Sequence, residues 1–106
     1  MIIDQRTYTL APTRMAKWFE LYEKQGLPVQ LRHLDGLVGF FRTEIGHCNQ
    51  VVHLWKYDSV QARMDQRGAM GRDPDGQAFL AQNNELGAVT EQVSTILVPM
   101  PWSPLK

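Results

Sequence analysis

The stretch Asn49–Ser59, NQVVHLWKYDS, decides how this chain is read. From Gln50 to Tyr57 it alternates and is rich in β-branched and aromatic residues, the pattern of a strand with two distinct faces, and Asp58 or Ser59 can cap a helix directly after it. His53 and Trp55 stand on one side of it, where a plain core strand would carry aliphatic residues. Just upstream, Leu37–Ile45 (LVGFFRTEI) has the same character, and GHCN joins the two, so the pair predicts an antiparallel hairpin. With a four-residue loop, Ile45 opposes Gln50, Arg42 pairs with His53 and Phe40 with Trp55. One face then holds Phe40, Arg42, Glu44, Val51, His53, Trp55 and Tyr57. The other holds Gly39, Phe41, Thr43, Ile45, Val52 and Leu54. A loop longer or shorter by one residue would turn one strand over. The second face is the cleaner surface for packing helices, which turns the mixed face away from them.

Working outward, Ile2–Leu10 (IIDQRTYTL) alternates as a first strand, with Arg6 and Tyr8 assigned to the mixed face. Met15, Trp18, Phe19 and Tyr22 recur at helical spacing. Gly26 and Pro28 are expected to interrupt that helix, and VQLRHL adds one or two further turns. A second helix runs from Asp58 or Ser59 to about Ala69, with Val60, Met64 and Met70 inward. Asp73 or Asp75 caps a short helix over QAFLAQNNE, and Gly87–Val98 is a last strand. The order β-α-β-β-α-β is the ferredoxin-like α+β pattern, a four-stranded antiparallel sheet with helices on one face. Residues 1–98 form the single domain and residues 99–106, with three prolines around Trp102, an extended tail. Strands with large side chains on both faces need cover on both, so the sheet face without helices predicts a homodimer, with a higher oligomer left open.

The chain has 106 residues, with 11 Lys plus Arg against 11 Asp plus Glu. A net charge of zero gives no electrostatic footprint for nucleic acid or an anionic membrane. The first residues lack the basic start and apolar run of a signal peptide, and a lone Cys48 suits a reducing compartment, so the expected location is cytoplasmic.

RTYTL, GLPVQLRHL, LVGFFRTEIG and NQVVHLWKYDS, with the tail strand STILVPMPWSP, together resemble a NIPSNAP domain over essentially the whole chain, in the short, stand-alone bacterial form. The resemblance implies a dimeric α/β barrel, in which two ferredoxin-like sheets close face to face. It implies no defined reaction for the family.

Three kinds of function stay open. In the first, Arg6, Tyr8, Arg42 and His53 line a pocket as catalytic candidates, with Trp55, Phe40 and Tyr57 as ligand-binding candidates. His53 would move a proton and an Arg would hold an anionic or enolic oxygen. Any such chemistry, cofactor-independent monooxygenase or isomerase, rests on analogy with related barrel families alone. In the second, the dimer is a scaffold, with His53 and Arg42 satisfying a carboxylate such as Glu44 at its interface. The third is haem binding, with His33 or His53 as axial ligand. No other cofactor is expected, and no HxxxH, CxxC or HxH spacing suggests a metal. Cys48 reads as a bystander thiol.

Overall fold

The computed structural model describes residues 1–106. Four strands, β1 (Ile2–Leu10), β2 (Leu37–Arg42), β3 (Gln50–Tyr57) and β4 (Val89–Leu97), form one antiparallel sheet in the order β2-β3-β1-β4. Helices α1 (Met15–Leu21), α2 (Leu27–His33), α3 (Val60–Arg72) and α4 (Pro74–Leu86) cover one face of it, which is the ferredoxin-like α+β arrangement. The molecule is a slab of 42 × 36 × 19 Å, two layers deep, and the second sheet face is open.

The caps follow from residue chemistry. Ser59 Oγ accepts from the Ala62 N–H at 3.0 Å to start α3, and Asp73 accepts from the Asp75 N–H at 2.9 Å to start α4. Gly87, at φ 62°, ends α4 in the left-handed conformation that glycine adopts without strain. Gly26 and Pro28, expected to interrupt the first helix, do not. The chain widens into a π turn over Tyr22–Gly26, with the Leu27 N–H donating to the Tyr22 carbonyl, and runs on as α2. Pro28 sits in the first turn of α2, where a missing N–H is tolerated. A Cβ on Gly26 would lie 2.7 Å from the Phe79 ring, so this glycine is what lets α4 pack against the turn.

The hairpin register differs from the sequence expectation. The connection is longer than four residues, spanning 43–49, and Ile45 is 93% exposed instead of opposing Gln50. Phe40 pairs with His53, Arg42 with Val51 and Leu37 with Trp55, with an irregularity between Leu37 and Gly39. For Phe40 and Arg42 the slip is two residues, which moves partners but leaves each side chain on its face.

What each face packs against is reversed. The mixed face, with Asp4, Arg6, Tyr8, Val51, His53, Trp55 and Tyr57, is the buried one and lies under the helices. The open face carries Phe41, Val52, Leu54 and Val93. The reason lies in α3, whose inward stripe is Arg63, Arg67 and Met70 at i, i+4, i+7. Val60 and Met64, expected inward, are exposed. A helix that brings guanidiniums satisfies the polar strand face better than an aliphatic layer would. Tyr8, Leu10, Trp18, Tyr22, Val51 and Ala88 form one apolar cluster, and Ile2, Leu34, Trp55 and Tyr57 another. Beyond β4 the tail turns at Pro101, leaving Trp102 77% exposed.

Candidate functional site

Strand alternation places Asp4, Arg6 and Tyr8 in a row on the inward face of β1, with His53 and Trp55 beside them on β3. Arg6 is the hub of that row. Its Nε and Nη2 donate to the Tyr8 hydroxyl at 3.1 and 3.0 Å, and its Nη1 to Asp4 at 3.3 Å and to Ser94 Oγ on β4 at 2.8 Å. Asp4, fully buried, also accepts from Arg63 Nε on α3 at 2.8 Å. One carboxylate therefore serves two guanidiniums. Burial works against the charge on Arg6, but Tyr8 and Asp4 outweigh it and its pKa is raised.

His53 is fully buried between rings, stacked on Phe40 at 4.3 Å and 22° and edge-on to Tyr8 at 4.8 Å. The Trp55 indole Nε1–H donates to its Nδ1 at 2.7 Å. An indole nitrogen can only donate, so Nδ1 is bare and the imidazole proton sits on Nε2, which is buried without a hydrogen-bond partner. Burial, reinforced by the positive charge of Arg6, pushes the His53 pKa down to about 3. His53 is a neutral packing group with a fixed tautomer.

The best-defined cavity, about 280 Å³, lies between the sheet and the helices. Arg6, Tyr8 and Gln92 form its floor, Trp18, Tyr22 and Phe79 an aromatic wall, and Arg67 of α3 its basic side. Tyr22 and Trp18 stack at 5.1 Å and 16°, the Tyr22 hydroxyl donates to Gln30 Oε1, and the Trp18 indole N–H donates to Asn83 at 3.0 Å. Burial raises the Tyr22 phenol well above its ordinary value.

Of the sequence candidates, then, Arg6 and Tyr8 meet at the cavity. His53, Trp55 and Tyr57 lie in the layer beside it and do not line it. Phe40 and Arg42 instead border a separate open cleft with Phe19, Leu27 and Phe41. Arg42 pairs with Glu44 at 2.7 Å on the surface, so the expected Arg42–His53 pairing is replaced by two unrelated sites. His33 bonds Asp73 at 2.8 Å, and that bond, with those from Arg32, depresses the Asp73 pKa. His33 thus faces α4's cap and His53 a Trp, and neither lines the cavity.

Sequence reading missed Arg67, Tyr22, Gln30 and Asn83. Arg63 and Arg67 at i, i+4 were the available signal. They were hidden because an inward helical stripe was sought among apolar residues.

The family model described as NIPSNAP matches residues 3–104. The human Protein NipSnap homolog 3A is 35% identical over 103 residues, and the Drosophila melanogaster Protein NipSnap 29% over 103 residues. The match covers 95% of this chain but 40% of the human protein, so the chain spans well under half of that curated relative. Among solved structures, a NIPSNAP family protein from Agrobacterium tumefaciens superposes with a TM-score of 0.93 at 31% identity, covering 99% of this chain and 98% of that one. A putative antibiotic biosynthesis monooxygenase from Nitrosomonas europaea shares the fold, with a TM-score of 0.66 at 9% identity over 94% of this chain and 99% of that one.

Proposed function

Taking as premise that the chain belongs to the NIPSNAP family, we propose that it is a homodimeric binding protein for a small organic molecule, held between the sheet and the helices of each protomer. The observation that carries this reading is the cavity, in which an aromatic wall faces convergent polar groups, the usual make-up of a ligand site. Its ionisable side chains are two guanidiniums and two phenols, which hold and orient an oxygen-bearing ligand. The only imidazole near it is tied to Trp55 and depressed in pKa. These groups fit recognition better than acid–base catalysis. A reaction here would have to draw its reactivity from the ligand itself.

The dimer is supported by the open sheet face, where Phe41 is 56% exposed and Val93 and Leu97 join it. Pairing two such faces would cover the apolar side chains that the helices leave in water. No helix is long and apolar enough to cross a membrane.

Two measurements test the reading. Light scattering on the eluted protein gives twice the monomer mass of 12.2 kDa, and a clean monomer removes the dimer. Calorimetric titration with 2-naphthamide, a flat neutral probe, gives binding that Gly71→Phe abolishes. Gly71 borders the cavity and a Cβ there meets nothing within 4 Å, so the larger side chain is accommodated beside the cavity without straining the helix. If neither naphthamide nor its carboxylate analogue binds the wild type, the cavity reading is wrong.

A further inference from the structure

We propose that the ligand is an organic carboxylate with a flat apolar body, and that Arg67 is the residue that holds its charge. The inference rests on the cavity reading above and gives it a ligand class.

It begins from an imbalance. The polar layer under α3 contains Arg6, Arg63 and Arg67, and the carboxylate available to them there is Asp4. Asp4 is engaged through Oδ2 by Arg6 and by Arg63, and its buried Oδ1 takes no bond from Arg67. Arg67 has no carboxylate partner, and its Nη1 is buried without an acceptor. Tyr57 lies beside it, its phenol raised by burial and opposed by Arg67, which is near its hydroxyl but outside strict hydrogen-bond geometry. A guanidinium in this layer without a carboxylate is costly to bury, and its charge calls for an answering anion.

The cavity has room for one, beside the parts of the Arg67 side chain other than the sealed Nη1. Arg67 lines the space, and Arg6 lines it from the sheet, so two guanidiniums face one volume with no lining carboxylate between them. A planar anion entering there would give Arg67 the fork-shaped acceptor that guanidinium geometry favours. Arg6 is held in place by four hydrogen bonds and adds its field rather than a free donor. Beyond the charged end, Trp18, Tyr22, Phe79, Met70 and Leu80 offer flat and flexible apolar surface, which asks for a ring or a short unsaturated chain. A volume of about 280 Å³ sits at the small end of ligand sites, which suits one or two fused rings.

The test compares 2-naphthoate with 2-naphthamide, two probes of the same shape that differ in charge, by calorimetric titration of the full chain. On the wild type, naphthoate binds roughly tenfold or more tighter than the amide, the value of a charge-assisted hydrogen bond. Arg67→Met removes the preference by weakening naphthoate alone, because Arg67 has no ion pair whose loss would disturb the fold. Arg67→Lys, which keeps a charge without the fork, retains part of the preference, and serves alone with the wild type should the Met variant not fold. Equal affinity for the two probes on the wild type overturns the carboxylate assignment while leaving the cavity reading intact. An unchanged ratio in Arg67→Met, or in Arg67→Lys when only that variant folds, overturns the role of Arg67. Binding of neither probe brings down both readings.

Discussion

The buried imidazole of His53 makes the stability of this protein depend on pH in a window that carbons and salt bridges would leave flat. In the fold its pKa is pushed down from 6.5 to about 3, because burial and Arg6 both oppose a second proton. In the unfolded chain it titrates at its ordinary value. Above pH 6.5 both states hold the neutral ring and nothing is lost. As the pH falls below 6.5 the unfolded chain takes up a proton that the folded one refuses, so stability drops with falling pH until the folded pKa is reached. Integrating that difference gives a loss of about 2 kcal/mol between pH 7.5 and pH 5, and about 3 kcal/mol by pH 4, attributable to this one residue. Urea unfolding at a fixed protein concentration, at half-unit steps from pH 7.5 to 5, measures it, the concentration being held because a dimer's stability varies with it. The control is His53→Gln, whose amide oxygen can still accept the Trp55 N–H. That variant starts lower, having lost the stacking on Phe40 and the edge contact with Tyr8, but its curve over this window is flatter by the same 2 kcal/mol or so. Parallel slopes in the two proteins would refute the claim that His53 is held neutral by burial.

Three further outcomes follow from the packing. Asp4→Asn strips the carboxylate from Arg6 and Arg63 in a buried layer and should cost roughly 3–5 kcal/mol in urea unfolding, the range for breaking a buried pair from one side. Gly36→Ala puts a Cβ 2.0 Å from the Lys56 carbonyl oxygen, at the point where the Lys56 N–H bonds the Gly36 carbonyl. That contact is backbone and cannot swing away, so the thermal midpoint falls by several degrees, more than for Gly71→Ala, which meets nothing. Phe41→Glu, on the open sheet face, should halve the mass seen by light scattering while leaving the far-ultraviolet dichroism unchanged. A dimer that survives both Phe41→Glu and Val93→Glu would place the interface elsewhere.

Much of this protein was legible in its sequence, because the relevant information is local. Alternation in Ile2–Leu10 and Gln50–Tyr57, helical spacing of Trp18 and Tyr22, and the caps Ser59 and Asp73 each depend on residues a few positions apart, and together they gave the ferredoxin-like order, while the resemblance of stretches such as NQVVHLWKYDS carried the family. They also grouped Arg6, Tyr8, His53 and Trp55 on one face, since side-chain parity along a strand is fixed and a register slip of two preserves it. Which layer that face meets was not local. It depended on α3 turning Arg63 inward to answer Asp4, a match between residues 59 positions apart that no periodicity of apolar residues records. The same tertiary choice separated the candidates. Arg6 and Tyr8 came to the cavity, His53 was sealed between Trp55 and Phe40, and Arg42 was left with Glu44 at the surface. Strand parity set by the sequence determined which side chains travel together. The charge balance across the layer between sheet and helices, which exists only once the two are packed, decided which of them line the cavity.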